Sequence, residues 1–174
     1  MLNGKKVAIL VEDEFEDAEL IETLRSLKAC CARVVFIGGG TKDTYQGVRG
    51  NATVRVDAVA DRVAAGDFDA VIIPGGGAAE KMCLSSGMVD LVRKAHDAGK
   101  VVAAISRGPQ LLITAGIVKG RRVTSWPSLA ADFKNAGGEW VDAPVVQDGN
   151  IITARKTADL PRFDKAIIEA LRDE

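Results

Sequence analysis

The chain has 174 residues, of which 47% are hydrophobic, 27% charged and 5% aromatic, with three cysteines and one histidine. A chain of this length is typical of one domain, and we assign residues 1–174 to it. Lysine and arginine number 23 and aspartate and glutamate 24, so the net charge of −1 offers no basic excess to a nucleic acid. No apolar run approaches the roughly 18 residues of a membrane span. The N-terminus does not resemble a signal peptide, and we expect a cytoplasmic protein without nucleic-acid or membrane partners.

The cysteines agree with that expectation. Cys30 and Cys31 are adjacent, and Cys83 stands alone. An odd count with a vicinal pair is no disulfide framework, and no Cys/His spacing of a metal site occurs. We therefore expect neither a metal nor a cofactor.

Short apolar runs alternate along the chain with segments of helical period. Four of these runs predict strands at residues 7–11, 33–37, 70–73 and 101–105. The runs are continuous rather than alternating, which is typical of parallel strands covered on both faces. Apolar stripes and terminal glycines predict helices over residues 16–29, 87–98, 109–115, 129–136 and 160–171. The alternation predicts an α/β fold, a three-layer sandwich with a mostly parallel sheet and helices on both faces.

Two stretches are less regular. Within residues 41–69, residues 54–56 are a candidate edge strand. Within residues 139–155, we predict short strands at 139–141, 145–146 and 151–153, with a hairpin turn at 148–150.

The loop after the fourth strand is the strongest candidate for a site, since ligands of such folds bind beyond the carboxyl ends of the strands. There the strand runs directly into a helix through Ser106 and Arg107. A polar residue at this junction is typical of a nucleophile elbow, in which a strained turn lifts the side chain to the head of a helix. The alternative is that Ser106 only caps the helix, because serine is a preferred N-cap. Taken alone, the segment favours the cap.

Two other loops carry chemically suggestive residues. Glycines 75–77 follow the third strand, and their N–H groups suit either an oxyanion hole or a plain tight turn. An acidic run follows the first strand at Glu12, Asp13, Glu14, Glu16, Asp17 and Glu19. Most of these side chains should be solvated, but one of them could be a buried carboxyl with a raised pKa against the elbow.

Six segments together resemble the PfpI/ThiJ family, in order and at its spacing. They are residues 14–20, 68–76, 108–113, 120–127, 135–142 and 157–161. The chain is most similar to the intracellular protease I branch of the class I glutamine amidotransferase-like superfamily. The resemblance implies a flavodoxin-like architecture and a stress-related hydrolase or glyoxalase-type activity that depends on a cysteine and a histidine.

The resemblance also implies roles for individual positions. The family's nucleophilic cysteine falls on Ser106, and the histidine that acts as its base falls on Arg107. The glutamate that hydrogen-bonds the thiol falls on Glu16. An acid that reaches the histidine across a subunit interface falls on Glu80.

Further implied features concern binding. Backbone oxyanion donors would come from Gly76 and Arg107, with Gly75 as a further candidate, and Trp126 would line the pocket. The resemblance implies a homo-oligomer, a dimer or a hexamer, with a small-molecule or peptide ligand.

Both departures from the family fall on the chemistry. A serine hydroxyl without an adjacent base is a weak nucleophile, and arginine stays protonated. Arg107 would instead hold an anion, pair with Glu16 or Glu80, or fill the space of the imidazole. His96, the single histidine, belongs to the predicted helix 87–98 and is interpreted as an exposed helix residue.

Two functional hypotheses follow. In the first, the chain has lost the cysteine–histidine activity and keeps a ligand pocket, a stress-related role or the oligomer. In the second, it is a divergent hydrolase in which Ser106 attacks with the help of a carboxylate or water. A signalling receiver domain is excluded, since Pro74 stands at the third-strand tip where that fold needs a phosphoacceptor aspartate.

Overall fold

The computed structural model describes residues 1–172 and places a mixed seven-stranded sheet at the centre of the molecule. Residues 173 and 174 of the predicted domain lie outside the described residues. In spatial order the strands are β10 (Val145–Asp148), β11 (Ile151–Ala154), β7 (Val101–Ile105), β6 (Ala70–Ile73), β1 (Lys6–Leu10), β2 (Arg33–Gly38) and β5 (Ala58–Val59). Strands β10 and β11 are antiparallel, and the other neighbours are parallel.

Helices cover the sheet on both faces. They are α1 (Asp17–Ala29), α2 (Ala78–Met82), α3 (Ser86–Asp97), α4 (Gln110–Thr114), α5 (Ala130–Asn135) and α6 (Leu160–Arg172). Short 3₁₀ turns occupy Ala60–Arg62, Ala65–Asp67, Pro127–Leu129 and Thr157–Asp159. The predicted three-layer α/β sandwich is confirmed. No helix in residues 1–172 is long and apolar enough to cross a bilayer.

The four predicted strands are confirmed as β1, β2, β6 and β7, within one residue at each end. Strands β6 and β7 are buried along their whole length. This burial explains why their sequences are apolar throughout, because a strand covered on both faces has no solvent side to mark with polar residues. Because β1, β6 and β7 are parallel neighbours, their carboxyl ends are adjacent at one edge of the sheet.

The strand predicted at residues 54–56 is present one residue earlier, but it does not lie at the edge of the main sheet. Strand β4 (Thr53–Arg55) pairs instead with β3 (Thr44–Gln46) in a separate antiparallel hairpin, and β5 forms the edge. The alternation around Val54 does mark a half-buried strand, but alternation cannot say which partner the strand has. Strand β9 (Glu139–Trp140) likewise leaves the main sheet and pairs with β8 (Arg122–Val123). The predicted hairpin at 148–150 is confirmed as the β10–β11 turn, with Gly149 at φ +58°.

Helices α1 and α6 pack against each other on one face of the sheet. Their contact includes the carboxylate of Asp164, which accepts hydrogen bonds from the hydroxyls of Thr23 and Ser26, each at 2.8 Å. Burial raises the pKa of Asp164. The pair of bonds ties the last helix to the first across the chain.

Candidate functional site

Ser106 occupies a strained turn between β7 and α4. Its backbone has φ +61°, a left-handed conformation that costs a residue with a Cβ about 1–2 kcal/mol. Hydrogen bonds hold it on both sides: its N–H donates to the Ala154 carbonyl at 2.9 Å, and its carbonyl accepts from the Trp126 N–H at 2.8 Å. The residue is 9% exposed. The alternative that Ser106 caps the helix is wrong, because α4 begins at Gln110 and its N-cap is Pro109.

The glycine loop after β6 lies directly against this turn. A Cβ on Gly75 would come within 3.0 Å of both the Arg107 nitrogen and the Ile105 carbonyl oxygen. Gly76 has φ +80°, and a Cβ there would collide with the backbone of the loop after β1. Side chains are excluded at both positions, so the three strand ends approach each other through bare backbone.

Glu19 is the buried carboxyl of the acidic run that contacts the glycine loop. It is 1% exposed; its Oε1 accepts the Gly75 N–H at 2.9 Å and its Oε2 accepts the Thr157 hydroxyl at 2.7 Å. Burial raises the pKa of Glu19 to about 7, with a smaller contribution from the negative charge of Glu16, while both hydrogen bonds and the charge of Arg49 act in the opposite direction. The expectation of a buried carboxyl with a raised pKa near the elbow is thereby confirmed. The expectation that most of the acidic run is solvated is wrong, because Glu12 and Asp17 are buried as well.

The bond to Glu19 has a consequence for the expected oxyanion donors. The Gly75 N–H already donates to a carboxyl, so it is not free to bind a developing anion. Of the three backbone groups in question, those of Gly76 and Arg107 remain candidates.

Glu16 lies beside the glycine loop as the N-cap residue of α1. Its N–H donates to the Gly75 carbonyl at 3.1 Å. Its carboxylate, which we expected at the nucleophile, forms an ion pair with Arg49: Nε lies 2.7 Å from Oε1, and Nη2 lies 3.3 Å from Oε2. The arrangement is bidentate, which fixes the direction of both side chains.

Arg49 reaches this place because Asp17 anchors the turn of the β3–β4 hairpin. The carboxylate of Asp17 is 2% exposed and accepts the backbone N–H groups of Arg49, Asn51 and Ala52 at 2.8–2.9 Å. Arg49 is not predictable as a site residue from the sequence. It lies in the irregular stretch 41–69, and no local pattern there indicates that the hairpin folds back onto α1.

The remaining predicted residues lie at the surface around the elbow. The side chain of Arg107 is exposed, and one of its expected partners, Glu16, pairs with Arg49 instead. Trp126 follows the elbow through its N–H bond to Ser106, and its side chain is 43% exposed. Glu80 lies on α2 and is exposed to solvent in the single chain.

His96 lies on α3 as predicted, but it is half-buried rather than exposed. Its carbonyl and that of Lys100 both accept from the Asn150 side chain, at 2.9 and 2.7 Å, which places His96 beside the start of β7. Ser106 follows the other end of that strand. At about 3.3 Å per residue, the five residues of β7 separate the two by roughly 16 Å.

None of the three cysteines occupies the nucleophile position. Cys30 and Cys31 follow the C-terminus of α1, and Cys83 follows α2. Burial raises the pKa of the Cys83 thiol, which keeps it in the unreactive protonated form.

Comparison with known proteins agrees with this geometry. Residues 5–170 match the model of the DJ-1/PfpI family. The chain is 42% identical to Deglycase PH1704 of Pyrococcus horikoshii over 167 residues, which cover 96% of this chain and 99% of that protein. It is 36% identical to General stress protein 18 of Bacillus subtilis, covering 97% of this chain and 98% of that one.

A solved structure shows the same fold. The protein from Anabaena variabilis contains a DJ-1/ThiJ/PfpI-like and a ferritin-like domain, and this chain superposes on it with a TM-score of 0.94 at 40% identity. The match covers 96% of this chain and 48% of the Anabaena protein. With the family model matching nearly its whole length, the chain belongs to the DJ-1/PfpI family.

Proposed function

We propose that this chain is a stress-related member of the DJ-1/PfpI family that has lost cysteine–histidine chemistry and keeps the elbow as a binding site for a small molecule or peptide. The observation that carries the proposal is Ser106 itself. It has the backbone of a nucleophile elbow, but its side chain is a hydroxyl and Arg107 follows it. Relatives named as a deglycase and as a stress protein support the family-level role.

Among residues 1–172, no side chain accepts a hydrogen bond from the Ser106 hydroxyl, so no general base is in direct contact with it. A base must lie within hydrogen-bond reach of the proton that it removes. Arg107 stays protonated, and His96 lies roughly 16 Å away by the length of β7. The two nearby carboxyls are engaged: Glu16 binds Arg49, and Glu19 binds Gly75 and Thr157.

The features that bind a ligand are independent of that loss. The glycine loop and the elbow bring backbone N–H groups to one place, and the exposed ring of Trp126 offers an apolar wall. The exposed guanidinium of Arg107 suits a ligand that carries a carboxylate or a carbonyl oxygen. Free cysteines at 30, 31 and 83 agree with a reducing compartment such as the cytoplasm.

Restoring the pair tests the proposal. We expect the native chain to leave amide, ester and α-ketoaldehyde substrates unchanged, and the double variant S106C/R107H to gain turnover. S106A/R107H is the matched control, because it supplies the imidazole without a nucleophile. Turnover by the native chain, or an inert S106C/R107H variant that still folds, would contradict the proposal.

The second candidate is a hydrolase that uses Ser106. It is favoured by Glu19, whose pKa of about 7 suits proton transfer near neutral pH. In this reading a water molecule relays the proton from Ser106 to a carboxyl. A fluorophosphonate or sulfonyl fluoride would then form an adduct on Ser106 of the native chain and none on S106A. The absence of an adduct removes this candidate.

We also propose that the protein is a homo-oligomer whose interface includes Glu80. Glu80 is exposed in the single chain, at the position where the family resemblance implies an acid that reaches across a subunit interface. Light scattering coupled to size exclusion should give a mass of two or six chains, and Glu80→Arg should lower it. A monomeric native protein would refute the proposal.

A further inference from the structure

A cavity of about 850 Å³ lies apart from the elbow, beyond the carboxyl ends of β1 and β2. Its walls come from the loop after β2, the 3₁₀ turns after β5, and the segment from α2 to α3. None of the elbow residues described above lines it. The volume falls in the range of small-molecule sites, roughly 300–1,000 Å³.

Glu12 lines this cavity with a buried carboxylate. It is 9% exposed, and its Oε1 accepts the Asp13 N–H at 2.9 Å while its Oε2 accepts the Thr41 hydroxyl at 3.3 Å. A carboxylate offers about four acceptor positions, so roughly half of them are used. Among residues 1–172, no lysine or arginine forms an ion pair with Glu12.

A chain of hydrogen bonds orients this carboxylate. The buried Tyr45 hydroxyl accepts the Lys42 N–H at 3.1 Å and lies 2.7 Å from the Thr41 hydroxyl. Since Thr41 donates its proton to Glu12, the Tyr45 hydroxyl donates to Thr41. The Tyr45 hydroxyl thus donates to Thr41, and the Thr41 hydroxyl donates to Glu12. This direction of the hydrogen bonds stabilises a negative charge on Glu12.

Two of the three lysines at the cavity are bound by carboxylates other than Glu12. The ammonium group of Lys42 is bound by Asp13, and that of Lys81 is bound by Glu14 at 3.1 Å. Lys94 is the third lysine of the lining. Asp61 and Asp90 add two carboxylates, of which Asp90 pairs with Arg93 at 3.0 Å. An apolar wall accompanies them, formed by Val63, Leu84 and Leu91.

We propose that this cavity binds a small organic cation, a primary ammonium group on a short aliphatic chain, with the ammonium on Glu12 and the chain against Leu84 and Leu91. A primary ammonium donates three hydrogen bonds, and its positive charge attracts the buried carboxylate of Glu12. Removal from water strengthens the attraction between the two groups, while the aliphatic chain covers the exposed side chain of Leu84.

The test uses n-butylammonium as the probe, with butyrate and 1-butanol as matched compounds of the same chain length. The full-length chain, labelled at its methyl groups, is titrated and followed by NMR. We expect saturable shifts at the methyls of Val63, Leu84 and Leu91 with butylammonium, and neither matched compound should produce them. Equal binding of butyrate or 1-butanol, or no saturable shift with butylammonium, would overturn the proposal.

Variants separate this site from the rest of the molecule. Glu12→Gln keeps the shape and should weaken butylammonium binding roughly ten- to a hundredfold, the loss of one charged hydrogen bond. Glu22→Gln is the matched control, an exposed glutamate on α1. Thr41→Val removes the hydroxyl that donates to Glu12 and should also weaken butylammonium binding, so it serves as the test if Glu12→Gln does not fold. Ser106→Ala should bind the probe unchanged, so the outcome does not depend on the chemistry of the elbow. Unchanged binding in both Glu12→Gln and Thr41→Val refutes the assignment.

Discussion

Replacing Glu19 with glutamine isolates the charge of the buried carboxyl beside the elbow. The two side chains have the same shape, and the glutamine carbonyl can accept the Gly75 N–H as Glu19 Oε1 does at 2.9 Å. The amide nitrogen then faces the Thr157 hydroxyl, which accepts a hydrogen bond as readily as it donates one. Glu19→Gln therefore keeps both bonds and removes only the ability to ionise.

The direction of the effect follows from the raised pKa. Burial moves the pKa of Glu19 from its ordinary 4.5 to about 7, so between these values the folded protein holds a proton that the unfolded chain has released. The stability from this group is complete below the lower value and is lost as the pH rises through the upper one. At about 1.4 kcal/mol per pKa unit, the whole shift corresponds to about 3 kcal/mol.

We therefore expect Glu19→Gln to gain about 2 to 3 kcal/mol of unfolding free energy over the native chain between pH 5 and pH 8.5. Urea denaturation followed by tryptophan fluorescence, at one protein concentration, measures this difference. The exposed Glu22→Gln on the same helix should follow the native chain at every pH. Parallel stability curves for Glu19→Gln and the native chain, or a native chain that gains relative to the variant as pH rises, would refute the reasoning.

Three further substitutions test other parts of the structure. Asp17→Ala removes the acceptor of three hairpin N–H groups; we expect a loss of roughly 3 kcal/mol and faster amide exchange at residues 49–52, and unchanged exchange would contradict the anchoring role. Asp164→Ala leaves the hydroxyls of Thr23 and Ser26 without an acceptor between α1 and α6, so urea denaturation should show a loss of about 2 kcal/mol; a neutral result would rule this contact out as a stabilising one. Cys31 follows α1 in the left-handed conformation, φ +66°, that a helix terminus usually gives to glycine. Cys31→Gly should raise the unfolding free energy by about 1 kcal/mol, and a lower melting temperature would refute that assignment of strain.

The sequence predicts the centre of the fold well because its strands are buried on both faces. In a small α/β domain, an uninterrupted apolar run such as residues 70–73 fits few positions other than a strand that is covered on both faces. The hairpin of β3 and β4 was not predictable in the same way, since Thr44, Gln46 and Thr53 are exposed and only Tyr45 and Val54 mark its inner side. Its position depends on Asp17, a residue distant in sequence.

The candidate site, like the fold, can be predicted only in part from the sequence. Local sequence indicates where the elbow and the glycine loop lie, because each follows a buried strand. It does not fix the conformation of Ser106, which is held by Ala154 and Trp126, residues distant in sequence. Choosing Glu19 from six acidic residues requires more than local pattern, although one signal exists. Glu19, Thr23 and Leu27 recur at helical spacing and are buried together on α1, so a carboxyl at that register faces the interior of the protein. Arg49 offers no such signal.

The backbone of Ser106 is held from two sides, by the carbonyl of Ala154 and by the N–H of Trp126. Neither bond involves the side chain, so the backbone conformation of the turn does not depend on which side chain residue 106 carries. A set of variants at position 106 would then share one backbone and differ only in the functional group presented to the pocket. Single substitutions at position 106 can therefore change the functional group of the site during evolution, and the same substitutions can be compared in the laboratory.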